Sequence, residues 1–188
     1  MPWLIILLGY LLGAIPTAYI AGHLLKGRDI RQMGDGNVGA QNAFRQLGRK
    51  AGIAIGLLDA GKGALAILIA QAVNLPQVAI LATGVAAVIG HNWPIFIVFR
   101  GGRGESTTIG VLLMIVTQPM LIMAGPTILA LFITRNVTLA SAVLFVPLSL
   151  VGWWLGVPGT YIAYSIALPC LVGFTHFLRT RRVLTRAT

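Results

Sequence analysis

Acidic side chains are scarce: Asp29, Asp35, Asp59 and Glu105 are the only four in 188 residues, against fourteen Lys and Arg, which gives a formal net charge of +10. Charge of either sign is also sparse, at 10% of residues, while hydrophobic residues make up 57% and the mean hydropathy is +0.87. Such a composition excludes a soluble domain of this length and points to an integral membrane protein. The single cysteine, Cys170, excludes an internal disulfide and, lying in apolar sequence, reads as a small buried residue. No basic residue precedes the first apolar run and no small-residue cleavage site follows it, so it is expected to be a span and not a removed signal peptide. Linkers, repeats and low-complexity tracts are absent, which leaves residues 1–188 as a single transmembrane domain. The basic clusters are not interleaved with stacking aromatics, which argues against nucleic acid. No His, Cys, Asp or Glu spacing suggests a metal site, and nothing calls for a cofactor.

What is present is a series of long apolar runs. Trp3–Leu25, Ala51–Ala72 and Gln77–Phe99 are continuous, not alternating, and each is long enough to cross the roughly 30 Å hydrocarbon core as a helix. Gly9, Gly13 and Pro16 in the first run suit close helix approach or a kink. The stretch Ser106–Thr134 is interrupted at Gln118–Pro119 and Gly125–Pro126, and charge decides its reading. With two short spans there, of about 12 to 15 residues each, and two more at Val137–Leu155 and Thr160–Leu178, every basic cluster (Lys26–Lys50, Arg100–Arg103, Arg135, Arg179–Arg186) falls on one side of the membrane. The expected fold is therefore an all-α polytopic bundle of about seven transmembrane helices, amino terminus outside and carboxyl terminus cytoplasmic. Asp59 and Lys62, three residues apart on one helix face, read as a structural ion pair near the interface, with a functional intramembrane pair as the other reading. Asn136-Val137-Thr138 matches a glycosylation acceptor, a pattern without meaning on the cytoplasmic side.

Two polar loops carry the chemistry. Arg100-Gly101-Gly102-Arg103-Gly104 precedes a predicted helix opening with Glu105, Ser106, Thr107 and Thr108. Glycines there can turn backbone amides toward one point, and the helix start, arginines and hydroxyls add donors for a phosphate. The segment is not a Walker loop, since the Gly-Lys-Ser/Thr ending is missing. Its plainer reading is a basic cytoplasmic turn. The other loop, Gly34-Asp35-Gly36-Asn37-Val38-Gly39, fits GxGxxG by spacing, yet no strand precedes it, so a dinucleotide fold is excluded. It feeds a short interfacial helix near Ala40–Leu47, with Asn42, Arg45 and Arg49 expected on one face. His23, His91 and His176 fall near the same membrane face, where three histidines could assemble a site or simply sit at the interface.

Together, GAIPTAYIAG in the first span, DIRQMGDGNVGAQNAFRQLGRKAG, LLDAGKGALA and GHNWPIFIVFRGGRGESTTIG resemble the bacterial integral-membrane acyl-phosphate:glycerol-3-phosphate acyltransferases over nearly the whole chain. The resemblance implies a multi-pass enzyme of the bacterial inner (plasma) membrane with its active site facing the cytoplasm. It would use acyl phosphate and glycerol-3-phosphate as substrates and make lysophosphatidic acid for phospholipid synthesis, among membrane lipids and without metal or cofactor. It further implies that Arg45, His91, His176 and Asp35 act in catalysis, Asp35 standing where the family usually has serine. Gly36, Asn37, Gly39, Asn42, Gly101, Gly102, Arg103, Gly104, Ser106 and Thr107 would bind the phosphates. Arg179 stands where the family has asparagine. Two other readings remain: a weak or re-specialised relative using another phosphorylated polyol, and an anion or lipid transporter, which would need polar groups near the bilayer midplane.

Overall fold

The computed structural model describes residues 1–187, with side chains described as far as Arg179. All its regular structure is helical: α1 (Pro2–Ala14), α2 (Thr17–Lys26), α3 (Ala40–Gln46), α4 (Arg49–Ala72), α5 (Gln77–Asn92), α6 (Glu105–Ile115), α7 (Thr117–Thr134), α8 (Val137–Trp154) and α9 (Gly159–Ala187). Six segments are long and apolar enough to cross a membrane, namely α1 with α2, α4, α5 with the turn after it, α7, α8 and α9. α6, with 11 residues, is a shorter apolar seventh.

Two expectations about the helices need correction, while a third is sharpened. The first run is one crossing, Pro2–Lys26, broken where a kink was expected: Pro16 lacks an amide and restricts Ile15 before it, so the ladder stops after Ala14 and restarts at Thr17. The fourth and fifth helices are not both short: α6 ends at Ile115, and α7 is an 18-residue helix that carries Pro119 in its first turn and Pro126 inside it. A proline in the first turn interrupts no intrahelical bond, so the break lies at Val116 and not at Gln118–Pro119. Asn42, Arg45 and Arg49 do not share one helix, since α3 ends at Gln46 and Gly48, with φ of +100°, turns the chain into α4. The proposed interfacial helix near Ala40–Leu47 is present.

At roughly 1.5 Å per residue α6 spans only about 16 Å, too little for a bilayer. Its surroundings resolve this, because Thr107, Thr108, Gly110, Val111 and Leu112 are buried by protein. The main core collects around it from α4 (Ile67), α5 (Val88), α8 (Leu148) and α9 (Leu168). A smaller cluster of Ala18, Ile30, Val38, Ala43, Ile55 and Ile97 lies under the first polar loop. Cys170 is exposed on α9 and not buried, so its apolar sequence surroundings match a lipid-facing side and not a core position.

Two close crossings hold the bundle together. α1 lies against α5 where a Cβ on Gly13 would overlap the Ala87 carbonyl, and one on Gly90 the Tyr10 carbonyl. α4 lies against α6 where Gly110 meets the Ala60 carbonyl and Gly63 meets Thr107. The Glu105 carboxylate at the start of α6 accepts a hydrogen bond from Ser141, one turn into α8, which puts the Arg135–Asn136 turn at the same end as the polar loops. Gln77 and Thr160, bonded at 2.9 Å, mark the opposite end. Asn136 is the N-cap of α8, accepting from the Thr138 and Leu139 amides. Gly110→Ala is expected to destabilise the fold by about 1–3 kcal/mol through overpacking. Gly125→Ala, where nothing lies within 4 Å of the added methyl, should not; thermal melting in detergent distinguishes the two.

Candidate active site

The first loop is folded by its own short-range bonds. Asp29 caps the 3-10 turn Ile30–Gln32, accepting from the Arg31 amide at 2.9 Å, and pairs with the Arg31 guanidinium at 2.7 Å. The hydrogen bond from that guanidinium holds the Asp29 carboxyl below its ordinary value of 3.8. Arg31 also lies over the Tyr19 ring, 4.9 Å from its centroid, and donates to the Ile97 carbonyl at 3.1 Å, tying the first loop to the second. Gly34 and Gly36 turn the chain with φ of +58° and +69°. Asn42 is buried and points into the loop, its amide donating to the Met33 and Asn37 carbonyls at 3.0 Å each. Asp35 accepts from the Asn37 amide at 3.1 Å, and Asn37 is itself nearly buried with its Oδ1 unpartnered. Gly39 is the residue before α3, and Arg45 is exposed on that helix.

The second loop departs from the expected amide cradle. The Gly102 amide donates to the His91 carbonyl at 3.0 Å and the Gly101 amide to that of Asn92 at 3.3 Å, so both close a hairpin onto the end of α5 and neither is available to a phosphate. Arg179 of α9 donates to the Gly101 carbonyl, and to the Asn92 carbonyl at 2.7 Å, clamping the same hairpin. Thr175 donates to the Arg103 carbonyl at 3.2 Å. Gly104, at φ of +84°, starts α6, whose first-turn amides have no acceptor within the helix. Ser106 is partly exposed on that turn, whereas Thr107 is fully buried against Gly63 of α4, away from the loops. Glu105 turns to Ser141, which directs its carboxylate toward α8.

The two loops meet in an ion pair between Arg103 Nη2 and Asp35 Oδ2, 3.2 Å apart and partly exposed. His176 is exposed on α9, next to Thr175, which donates to the Arg103 carbonyl. Asp35 and Arg103 therefore come together across 68 positions, with α9 alongside. Nearby, a cleft of about 360 Å3 between α9 and the 93–100 hairpin has Trp93 and Phe99 in its wall, with Arg100 and Arg179 alongside.

His91 lies elsewhere. It is 7% exposed, with Nδ1 3.6 Å from Asp59 Oδ1 and its Nε2 edge against Gly102. Asp59 and Lys62 do form the ion pair read from their spacing, at 2.8 Å, but deep in the protein, where Asp59 also accepts from Thr17 at 2.6 Å and Lys62 donates to the Ile15 carbonyl at 2.9 Å. Sequence reasoning missed Thr17 and His91 as partners. The one signal for them was Pro16, whose helix break frees a carbonyl that a buried lysine can satisfy. His23 packs against Tyr19, with ring centroids 4.6 Å apart, so the three histidines do not assemble. Among the described residues no three His, Cys, Asp or Glu side chains converge as metal ligands would.

These features define a polytopic helical membrane protein with a cationic, glycine-framed site gathered at one end of the bundle. The glycerol-3-phosphate acyltransferase profile matches residues 3–186, and the chain belongs to that family. It is 55% identical over 182 residues to glycerol-3-phosphate acyltransferase 4 of Dehalococcoides mccartyi, covering 97% of this chain and 98% of that protein. It is 40% identical to glycerol-3-phosphate acyltransferase 1 of the same organism, over 95% of this chain and 89% of the relative. Crystal structures of PlsY, an integral membrane glycerol 3-phosphate acyltransferase, superpose with a TM-score of 0.80 in the glycerol 3-phosphate form and 0.75 in the lysophosphatidic acid form. Their identities are 32% and 30%, each over 98% of this chain and 92% of PlsY.

Two outcomes are expected. Because the Asp29 carboxyl titrates below its ordinary value in the folded protein, its stabilisation is full above that value and is lost as pH falls through the depressed one. Arg31→Gln should flatten that acid-side slope, read from melting temperature against pH. Gly102→Ala would drive a methyl into the His91 ring and the Val38 carbonyl; a fall in activity of roughly tenfold or more, the scale set by misplacing a reactive loop, is the expected readout.

Proposed function

We propose that this protein transfers a fatty acyl group from acyl phosphate to the first hydroxyl of glycerol-3-phosphate, giving lysophosphatidic acid and inorganic phosphate. The reaction is placed at the cytoplasmic face of a bacterial plasma membrane. The observation that carries this reading is the meeting of Asp35 and Arg103, beside α9, at the one end of the bundle where the basic turns gather. Family membership supports it, as does the likeness to PlsY, whose glycerol 3-phosphate and lysophosphatidic acid forms have the acceptor and the product of this transfer. Cytoplasmic orientation follows from charge: Lys26, Arg49, Arg103 and Arg135 all border turns at that end.

In the reaction the acceptor oxygen attacks the carbonyl carbon of the acyl phosphate, a new C–O bond forms, and the bond from that carbon to the phosphate oxygen breaks. Arg103 exchanges its carboxylate partner for phosphate oxygens, and Asp35, so released, takes the hydroxyl proton and hands it to the departing phosphate. Arg45 and the first-turn amides of α6 add positive potential for the second phosphate. The cleft beside Phe99 and Arg179 offers apolar wall next to cationic groups, the combination that a phosphate on a hydrocarbon tail requires. Gly36, Asn37 and Asn42 shape the loop that presents Asp35, and His176, next to the Thr175 that bonds the Arg103 carbonyl, is assigned to the same site.

Purified protein given acyl phosphate and glycerol-3-phosphate should form lysophosphatidic acid. Arg103→Ala and Arg45→Ala should each lower kcat/KM by about 100-fold, the scale of removing one charge-stabilising donor. Asp35→Asn should lower kcat with little change in KM. Absence of product from folded wild-type protein overturns the proposal, and full activity in Arg103→Ala overturns the assignment of the site.

A further inference from the structure

The proposed chemistry leaves unused the most deeply buried ionic group among the described residues. Asp59 of α4 is 1% exposed, and its Oδ1 meets Thr17 from α2, Lys62 from its own helix and Nδ1 of His91 from α5. The far edge of the same imidazole rests on Gly102, so closely that no side chain fits there. A water-sized cavity of about 10 Å3 reaches from Lys62 past His91 to Gly101. The carboxylate is thus one imidazole width from the loop that carries Arg103.

We infer that Asp59 is a positioning residue for acyl transfer: it orients His91, and His91 sets the height of the Gly101–Gly102 segment and hence of Arg103. The proton on a neutral imidazole goes to the nitrogen that faces an acceptor. A carboxylate at Nδ1 therefore leaves Nε2 bare. Lys62 balances the remaining charge of Asp59 and is held in turn by the Ile15 carbonyl. Loss of the carboxylate lets the ring turn or change tautomer, and the glycine segment moves with it. This resembles the way a buried aspartate orients a histidine in other enzymes, except that here the histidine bears on a loop and not on substrate. The inference rests on the transferase reading above.

The test compares Asp59→Asn, Asp59→Asn with Lys62→Met, and Asp59→Asn in a His91→Gln background, each checked for folding by size exclusion and melting. In 15N-histidine-labelled protein the His91 resonances are assigned by their loss in His91→Gln. Wild type is expected to show Nδ1 protonated and Nε2 bare, and Asp59→Asn a shifted or mixed tautomer. Acyl transfer should fall roughly tenfold or more in Asp59→Asn, the scale on which partners that orient a histidine register. Adding Lys62→Met should not restore it, and Asp59→Asn should lower His91→Gln no further. Unmoved His91 resonances overturn the inference. So does recovery on neutralising Lys62, which would make the cluster a structural ion pair alone, and so do losses that multiply. If the single variant does not fold, the charge-balanced double variant is read in its place by the same resonances and rates. A wild-type protein without acyltransferase activity defeats the transferase reading, while the 15N spectra still decide whether Asp59 orients His91.

Discussion

A carboxylate inside a membrane bundle must be neutralised and hydrogen-bonded on the spot, because removing it from water costs several kcal/mol that only close partners offset. Asp59 imposes that demand on three other parts of the chain. Lys62, one turn along α4, supplies charge; Thr17 arrives because Pro16 breaks the first crossing beside it; His91 arrives at the end of α5. Lys62 in turn gives a second donor to the Ile15 carbonyl at the same break, which also accepts from the Thr17 amide. One buried charge thus ties the bend that Pro16 makes in the first crossing, and the end of α5, to α4.

That arrangement requires the helices to approach more closely than ordinary side chains allow. Gly13 and Gly90 bring α1 onto α5, and Gly63 and Gly110 bring α6 onto α4. With little hydrophobic force between helices in lipid, such contacts supply packing where larger side chains would hold the backbones apart. They also explain how α6 can be short: it is enclosed by protein, and the Arg100–Gly104 loop at its start lies where Arg103 meets Asp35.

The hairpin between α5 and α6 is held from several sides. Val98 and Phe99 both have left-handed backbones, at φ of +57°, an unfavourable state for a β-branched residue. The Phe99 amide bonds the Pro94 carbonyl at 2.9 Å, Arg31 bonds Ile97 from the first loop, and Arg179 bonds both Asn92 and Gly101 from α9. Strain of this kind persists where surrounding contacts over-determine the backbone, as they do next to the Arg103 site. The glycine amides expected to cradle a phosphate instead secure this hairpin, which leaves the Arg103 guanidinium and the first turn of α6 as its remaining donors.

Legible in the sequence were the number and rough places of the apolar helices, the end of the bundle at which the basic turns gather, the Asp59–Lys62 pair, the short helix near Ala40 and the family. Each of these is written in local composition, in three- and four-residue spacing, or in contiguous motifs. Only the tertiary structure decided that α6 stops at Ile115, that Asn42 points into its loop while Thr107 faces α4, and that Cys170 faces outward. It alone joined Asp35 to Arg103 across 68 positions, and Arg179 to Asn92 and Gly101 across 87 and 78. The reason is physical. An apolar period gives a helix and its hydrophobicity, but which neighbour a side chain meets depends on how closely two backbones approach. In this bundle that distance is set by glycines in one helix and carbonyls in another.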